Sequence, residues 1–160
     1  MRRSRRGDVL RRPFLSLVLA LLPLLGTAGA HAYLAATEPA ADAVLEAAPA
    51  EVKLIFSEAV EVAFSLLKVY RLDTDVDLTA ENARLRLNGL AALLVNRELA
   101  SNEPSDNRVD VAISPERGTS AEIVLTLKGE LPPGHYVVMW RVLSVDTHVL
   151  QDHYVFSVVP

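Results

Sequence analysis

The sequence contains no cysteine. That excludes disulfides, thiolate metal sites, cysteine nucleophiles and a lipidated cysteine anchor, and leaves nitrogen and oxygen as the donor atoms for any metal. A long apolar run is also missing: residues 14–25 are apolar over 12 positions, where a bilayer needs about 20. Positive charge is scarce beyond the first twelve residues, in which Arg2, Arg3, Arg5, Arg6, Arg11 and Arg12 stand against Asp8 alone. The whole chain carries −4; residues 1–30 hold those six arginines and one aspartate, a net of +5, so the remainder carries −9. A chain this acidic is not built for nucleic acid or an anionic membrane surface, because phosphate binding depends on clustered Lys and Arg. There is no internal repeat and no low-complexity tail.

What is present is enough for one domain with a real core: 160 residues, 51% of them hydrophobic. Residues 1–30 read as a secretory signal peptide, with an arginine-rich start, the short apolar run, and then Gly26-Thr27-Ala28-Gly29-Ala30. Arg11-Arg12-Pro13-Phe14-Leu15 resembles a twin-arginine export motif, with Ser16 where lysine is usual, so export through the general secretory route or the twin-arginine route is expected. Two cleavage frames satisfy the small-x-small rule, one before His31 and one before Tyr33, and the rule does not choose between them. The first leaves a domain spanning residues 31–160, and it makes His31 the first residue.

From residue 51 onward the chain reads as β. Val52, Leu54 and Phe56 alternate with polar neighbours, and further strand-like runs occur at residues 64–70, 123–127, 136–145 and 154–159. Short β runs separated by turn signals predict an all-β single domain, an antiparallel Greek-key sandwich or barrel. Residues 33–49, with Pro39 and Pro49, suit an extended entry and a loop. Residues 78–99 are ambiguous. Their Leu, Ala, Glu and Arg suit a helix, but Asn88-Gly89 between two apolar runs is a hairpin signal, and the balance favours two strands and a turn.

The chemistry-bearing residues are the histidines at 31, 135, 148 and 153. His135 follows a Pro-Pro-Gly turn and is expected as an exposed strand start. His153 is expected as a polar residue on the outer face of the last strand. His148 differs because Asp146 stands two residues before it, and in an extended strand the pair would share one face. An Asp-x-His pair alone is more often a hydrogen-bonded turn than a ligand set. Combined with the imidazole and amine of an N-terminal His31 it gives three nitrogens and one oxygen, a set suited to tetragonal Cu(II), whereas Zn(II) prefers a tetrahedron. The terminal amine, with a reference pKa of about 7.7–8.0, yields its proton to a metal more readily than a lysine at about 10.4. Asp146 would offset part of the metal's charge, and Glu58 could add a weak ligand or orient a histidine.

These residues carry a resemblance. His31-Ala32-x-Leu34, Pro39-Ala40, Pro49, Val52-x-Leu54-x-Phe56-Ser57-Glu58-x-Val60, and Gly134-x-Tyr136-x-Val138-x-Trp140-Arg141-Val142-x-Ser144-x-Asp146-x-His148 followed by Tyr154-x-Phe156 resemble the CopC family of periplasmic copper-binding proteins. The resemblance implies an Ig-like or cupredoxin-like Greek-key β domain, a monomer that does not span the membrane. It implies one Cu(II) per chain, held by His31, Asp146 and His148 with Glu58 in support. It also implies cleavage before His31, a periplasmic or secreted location, and copper sequestration or delivery to a CopD-like membrane copper transporter, with no reaction of the protein's own. Some relatives carry a methionine-rich Cu(I) site; here only Met139 follows residue 30, inside a strand-like run, so that site is not expected. Val149 and Asp152 stand where proline and glycine are common, and residues 73–110 are longer than the family pattern. Two other functions compete: a copper monooxygenase with a histidine brace, disfavoured because a carboxylate would take an oxygen position, and a metal-free β-sandwich interaction module if cleavage falls before Tyr33.

Overall fold

In β3 (Glu51–Glu61), Val52, Leu54, Phe56 and Val60 are almost wholly buried, the outcome that period-2 alternation requires when one face of a strand meets a core. The computed structural model describes residues 32–160; the expected leader and His31 lie outside the described residues. β3 sits between β1 (Leu34–Glu38) and β6 (Thr119–Leu127), and β6 carries β5 (Asp110–Ser114) on its far edge, all antiparallel. The second sheet runs β2 (Val44–Leu45), β8 (Val149–Val158), β7 (Gly134–Leu143), β4 (Leu66–Leu72), antiparallel except for the parallel β2–β8 pair.

The two four-stranded sheets form a sandwich rather than a barrel. Leu54, Phe56, Ile123 and Leu125 share one core cluster with Val138, Trp140, Tyr154 and Phe156 of the second sheet. Burying such a side chain contributes about 1.5–3 kcal/mol. Within the cluster the Tyr136 and Phe156 rings stack with centroids 5.3 Å apart.

Residues 136–140 are all buried, a continuous run rather than an alternation, because β7 is covered on both faces. The second cover is α1 (Ala83–Glu98), which corrects the expectation of strands and a turn across residues 78–99. Asn88-Gly89 lies inside this helix. The physical reason is a helical stripe that outweighs the dipeptide: Ala83, Leu87, Ala91, Leu94 and Val95 recur at helical spacing. They close a second core over Tyr70, Leu72, Val137, Met139 and Val155 on the outer face of the second sheet. A hairpin would have had no such seam to bury. Lys68, only 5% exposed, donates its Nζ to the carbonyls of Glu98 and Ser101 and so caps the helix C-terminus. Its pKa is lowered, first by burial and then by the charge of Arg108.

Smaller corrections follow from the same layers. Phe64 is 72% exposed in a 3-10 turn (Val62–Phe64) before β4, and Val145 falls beyond the end of β7. β5 was not expected, because as an edge strand with Val111 exposed it shows no clean alternation. It is tied to the other sheet by Asp110. That carboxylate accepts the backbone N–H of Val69 at 2.8 Å and pairs with the Arg108 guanidinium at 2.7 Å. His135 is not an exposed strand start. Its register partner is Ser157, and on the outer face under residue 76 it is 7% exposed, with Nδ1 2.8 Å from Ser157 Oγ and Nε2 3.0 Å from the Val76 carbonyl oxygen.

Candidate metal centre

Asp146 and His148 do not stand on a strand. β7 ends at Leu143 and β8 begins at Val149, so the pair belongs to the hairpin turn between them. The Ser144 N–H donates to the His148 carbonyl at 2.9 Å and the Thr147 N–H to the Ser144 carbonyl at 2.9 Å. Thr147 closes the turn with φ 75°, as expected of a three-residue hairpin loop whose last residue is left-handed. What brings the two side chains together is this reversal, not the strand alternation. His148 Nδ1 lies 3.0 Å from Asp146 Oδ2, and the His148 N–H donates to Asp146 Oδ1 at 3.2 Å. Ser144 Oγ donates to the same Oδ1 and is itself buried. Ser144 was missed as a site residue, although its serine-x-aspartate spacing was a readable signal.

The turn is docked on β3. Val60 bridges Ser144, and the Val145 N–H donates to the Ala59 carbonyl at 3.3 Å. Two residues earlier on the same strand, Ser57 holds the front of the described chain: the Tyr33 N–H donates to Ser57 Oγ at 3.0 Å, and the Ser57 N–H to the Tyr33 carbonyl at 2.8 Å. Ala32 is packed into the core at 1% exposure. Between these anchor points sits Glu58, whose Oε1 is buried with no hydrogen-bond partner among the described residues. A buried carboxylate oxygen without a partner is costly unless something else satisfies it.

Of the four residues expected at the site, the structure brings Asp146 and His148 together and places Glu58 on the strand that supports them, while His31 lies outside the described residues. Among the described residues no three His, Asp or Glu groups are gathered to hold a metal. Imidazole nitrogen and carboxylate oxygen are donors that a copper ion accepts, and here the two are joined to each other by a hydrogen bond of 3.0 Å. Both side chains are reachable from solvent, at 57% exposure for His148 and 32% for Asp146. His153 is on the outer face of β8 opposite Met139, as expected, with Nδ1 3.7 Å from Asp152. Met139 is fully buried in the second core.

Residues 34–93 and 95–159 match the model of the CopC domain family. Over 129 residues the chain is 30% identical to protein YobA of Escherichia coli K12, covering 81% of this chain and 79% of YobA. A 69-residue stretch, 40% of this chain, is 41% identical to the copper transport protein CutJ of Bacillus subtilis, of which it covers 13%. The fold matches the crystal structure of PcoC, a methionine-rich copper resistance protein from Escherichia coli, with TM-score 0.53 and 28% identity, covering 81% of this chain and all of PcoC (100%).

Proposed function

This chain belongs to the CopC family, and from that premise we propose that it is an exported Cu(II) carrier. It takes one ion per chain through the amine and imidazole of His31, the Asp146 carboxylate and the His148 imidazole. Glu58 satisfies its lone oxygen beside the ion or through an intervening donor. The observation that carries this reading is the Asp146–His148 pair, 3.0 Å apart in a turn docked against the strand that carries Glu58. His31 is included because the residue after it, Ala32, is locked in the core and Tyr33 is bound to Ser57, one residue from Glu58. One peptide link spans only about 3.8 Å between Cα atoms. Cleavage before His31 completes this set; cleavage before Tyr33 removes it.

Two exposed donors at a turn suit a cargo that must enter and leave, and the protein performs no reaction of its own. It works in the periplasm or outside the cell, where it keeps copper bound or hands it to a CopD-like membrane copper transporter. The match of part of this chain to a segment of a copper transport protein supports that hand-over. The test is a Cu(II) titration of the chain beginning at His31, beside the same chain with one alanine added before it. The expected result is one equivalent bound by the first, and an affinity loss in the second larger than the ~10–100-fold that removing an outer-shell partner costs. Equal affinities would refute the chelate, and an intact mass of the exported protein beginning at Tyr33 would refute the site.

A further inference from the structure

The sandwich is open along one side, between β1 and the first half of β8. β2 covers β8 only at Ser157 and Val158, and the Asp42 N–H closes the edge at the Val155 carbonyl. Val155 and Ser157 make their outward backbone bonds on this edge, so in the unbroken ladder with β7 the odd-numbered residues of β8 face it. Val149, Gln151 and His153 therefore turn their N–H and C=O groups to the uncovered stretch. Among the described residues, only the His153 N–H finds a partner there, Asp152 Oδ1 at 2.8 Å. Beside this edge lies a cleft of about 590 Å³, with Thr37 of β1 on one wall and Trp140 and Tyr154 of the second sheet on the other.

Two groups in the cleft are incompletely used. Tyr154 is 6% exposed, and its buried hydroxyl has no hydrogen-bond partner among the described residues. The Thr37 hydroxyl is near enough to bear on its pKa but makes no hydrogen bond with it. A buried hydroxyl left in that state is costly. Asp152 shares the inward row of β8 with Leu150, Tyr154 and Phe156, three members of the core, yet its carboxylate is 72% exposed. His153 Nδ1 is 3.7 Å from it, and no lysine or arginine lines the cleft. An inward-pointing acid on an edge strand bars an ordinary incoming strand, which would bury the charge unpaired. A strand that brings a cation meets no such bar. Guanidinium suits the place better than ammonium, because its planar fork of N–H donors can serve Asp152 and the Tyr154 oxygen together. We propose that the cleft between β1 and β8 docks an extended segment of a partner protein, which pairs with the Val149–His153 edge and places an arginine side chain between Asp152 and Tyr154 Oη. Main-chain bonds along the edge supply affinity and the arginine supplies selectivity. The charge of −9 beyond residue 30 draws such a basic segment in. Tyr33 and Val149 also line the cleft, and Val149 follows His148, so the docked segment lies beside the metal centre without using its donors. Docking needs no copper and stands or falls apart from the carrier function.

Trp140 is the chain's one tryptophan, so its fluorescence reports on the cleft. The probe is the peptide acetyl-Thr-Val-Arg-Val-Thr-amide, titrated to millimolar concentration into the metal-free chain. A saturable change at Trp140 is expected, with binding about tenfold weaker when alanine replaces the arginine. Protection of the Gln151 amide proton from exchange should accompany it. Asp152→Asn keeps an oxygen for the His153 N–H but removes the charge, and Tyr154→Phe removes only a hydroxyl; each should weaken the arginine peptide and leave the urea midpoint no lower. Asp152→Arg should reverse the preference, toward a peptide with glutamate at the centre. The proposal is overturned if the arginine peptide gives no saturable change, or if its binding ignores both Asp152→Asn and Tyr154→Phe. N-acetylarginine amide binding as tightly as the peptide would also overturn it, because the site would then take a free guanidinium and not an extended segment.

Discussion

Thr147 offers the sharpest test of how the turn presents its donors. At φ 75° the Cβ of an L-residue crowds the following carbonyl, at a cost of about 1–2 kcal/mol, and a β-branched residue tolerates this poorly. Asparagine visits the same region with a short polar side chain that can bond locally. Thr147→Asn should therefore stabilise the metal-free protein by about 1 kcal/mol, a rise of about 3–5 °C in Tm for a domain of this size. Thr147→Gly removes the same crowding but loosens the unfolded chain, costing about 0.5–1 kcal/mol, so its net change should be near zero. The two differ in function. Asn keeps the turn stiff and with it the 3.0 Å spacing of Asp146 and His148, so its copper affinity should equal the wild type's. Gly lets the donors drift and should bind more weakly. Thermal unfolding followed by circular dichroism, with a copper titration of each variant, checks both halves. An Asn variant that melts below the wild type would show that residue 147 is not held in the left-handed region, and the account of the turn would fall with it.

Asp110→Ala strips a partner from the Val69 N–H and leaves Arg108 unpaired beside it; the expected loss is about 2–3 kcal/mol, read as a lower urea midpoint with an unchanged m-value. Gly89→Ala should stabilise the chain by about 0.5–1 kcal/mol, because a Cβ there meets nothing within 4 Å; a lower urea midpoint would contradict its place in mid-helix. The phenols of Tyr70, Tyr136 and Tyr154 are all pushed up, in each case first by burial. A folded-state value above the unfolded one means stability that is present below about pH 10 and lost as the pH rises further. Absorbance of tyrosinate at 295 nm from these three should therefore appear together with loss of the circular dichroism signal; titration of all three in a chain that stays folded would contradict their burial.

The strands most legible in the sequence were those with one buried face. Val52, Leu54 and Phe56 announced β3 because every second side chain meets the core. The run at residues 136–145 read as a strand, and only the fold showed that residues 136–140 are covered on both faces. That cover was misread. Asn88-Gly89 is a strong local signal, but whether residues 83–98 coil or turn back was decided by a seam on the second sheet, in which Leu87 and Ala91 find Val137 and Val155. His135 was misread for the same reason. A histidine after Pro-Pro-Gly looks exposed until a loop from elsewhere in the chain brings the Val76 carbonyl down on it. At the site, the identities of Asp146 and His148 were legible and their geometry was not. Strand alternation offered the right neighbours by the wrong route, because the contact comes from a turn closed by a left-handed threonine.

By itself the sequence determined the chemistry open to this protein: without cysteine there is no thiolate for a disulfide or a metal, and the side-chain donors are imidazole, carboxylate, amine and two methionine thioethers. These are statements about which atoms exist, and they hold for any fold. Only the tertiary structure decided which of those atoms meet. Ser57 and Val60 lie three residues apart on one strand, yet the first holds the front of the described chain and the second holds the turn that begins at Ser144. Residues more than a hundred positions apart are brought to one place by a sheet register, and register is set by the burial of whole faces, which no local pattern around His148 records.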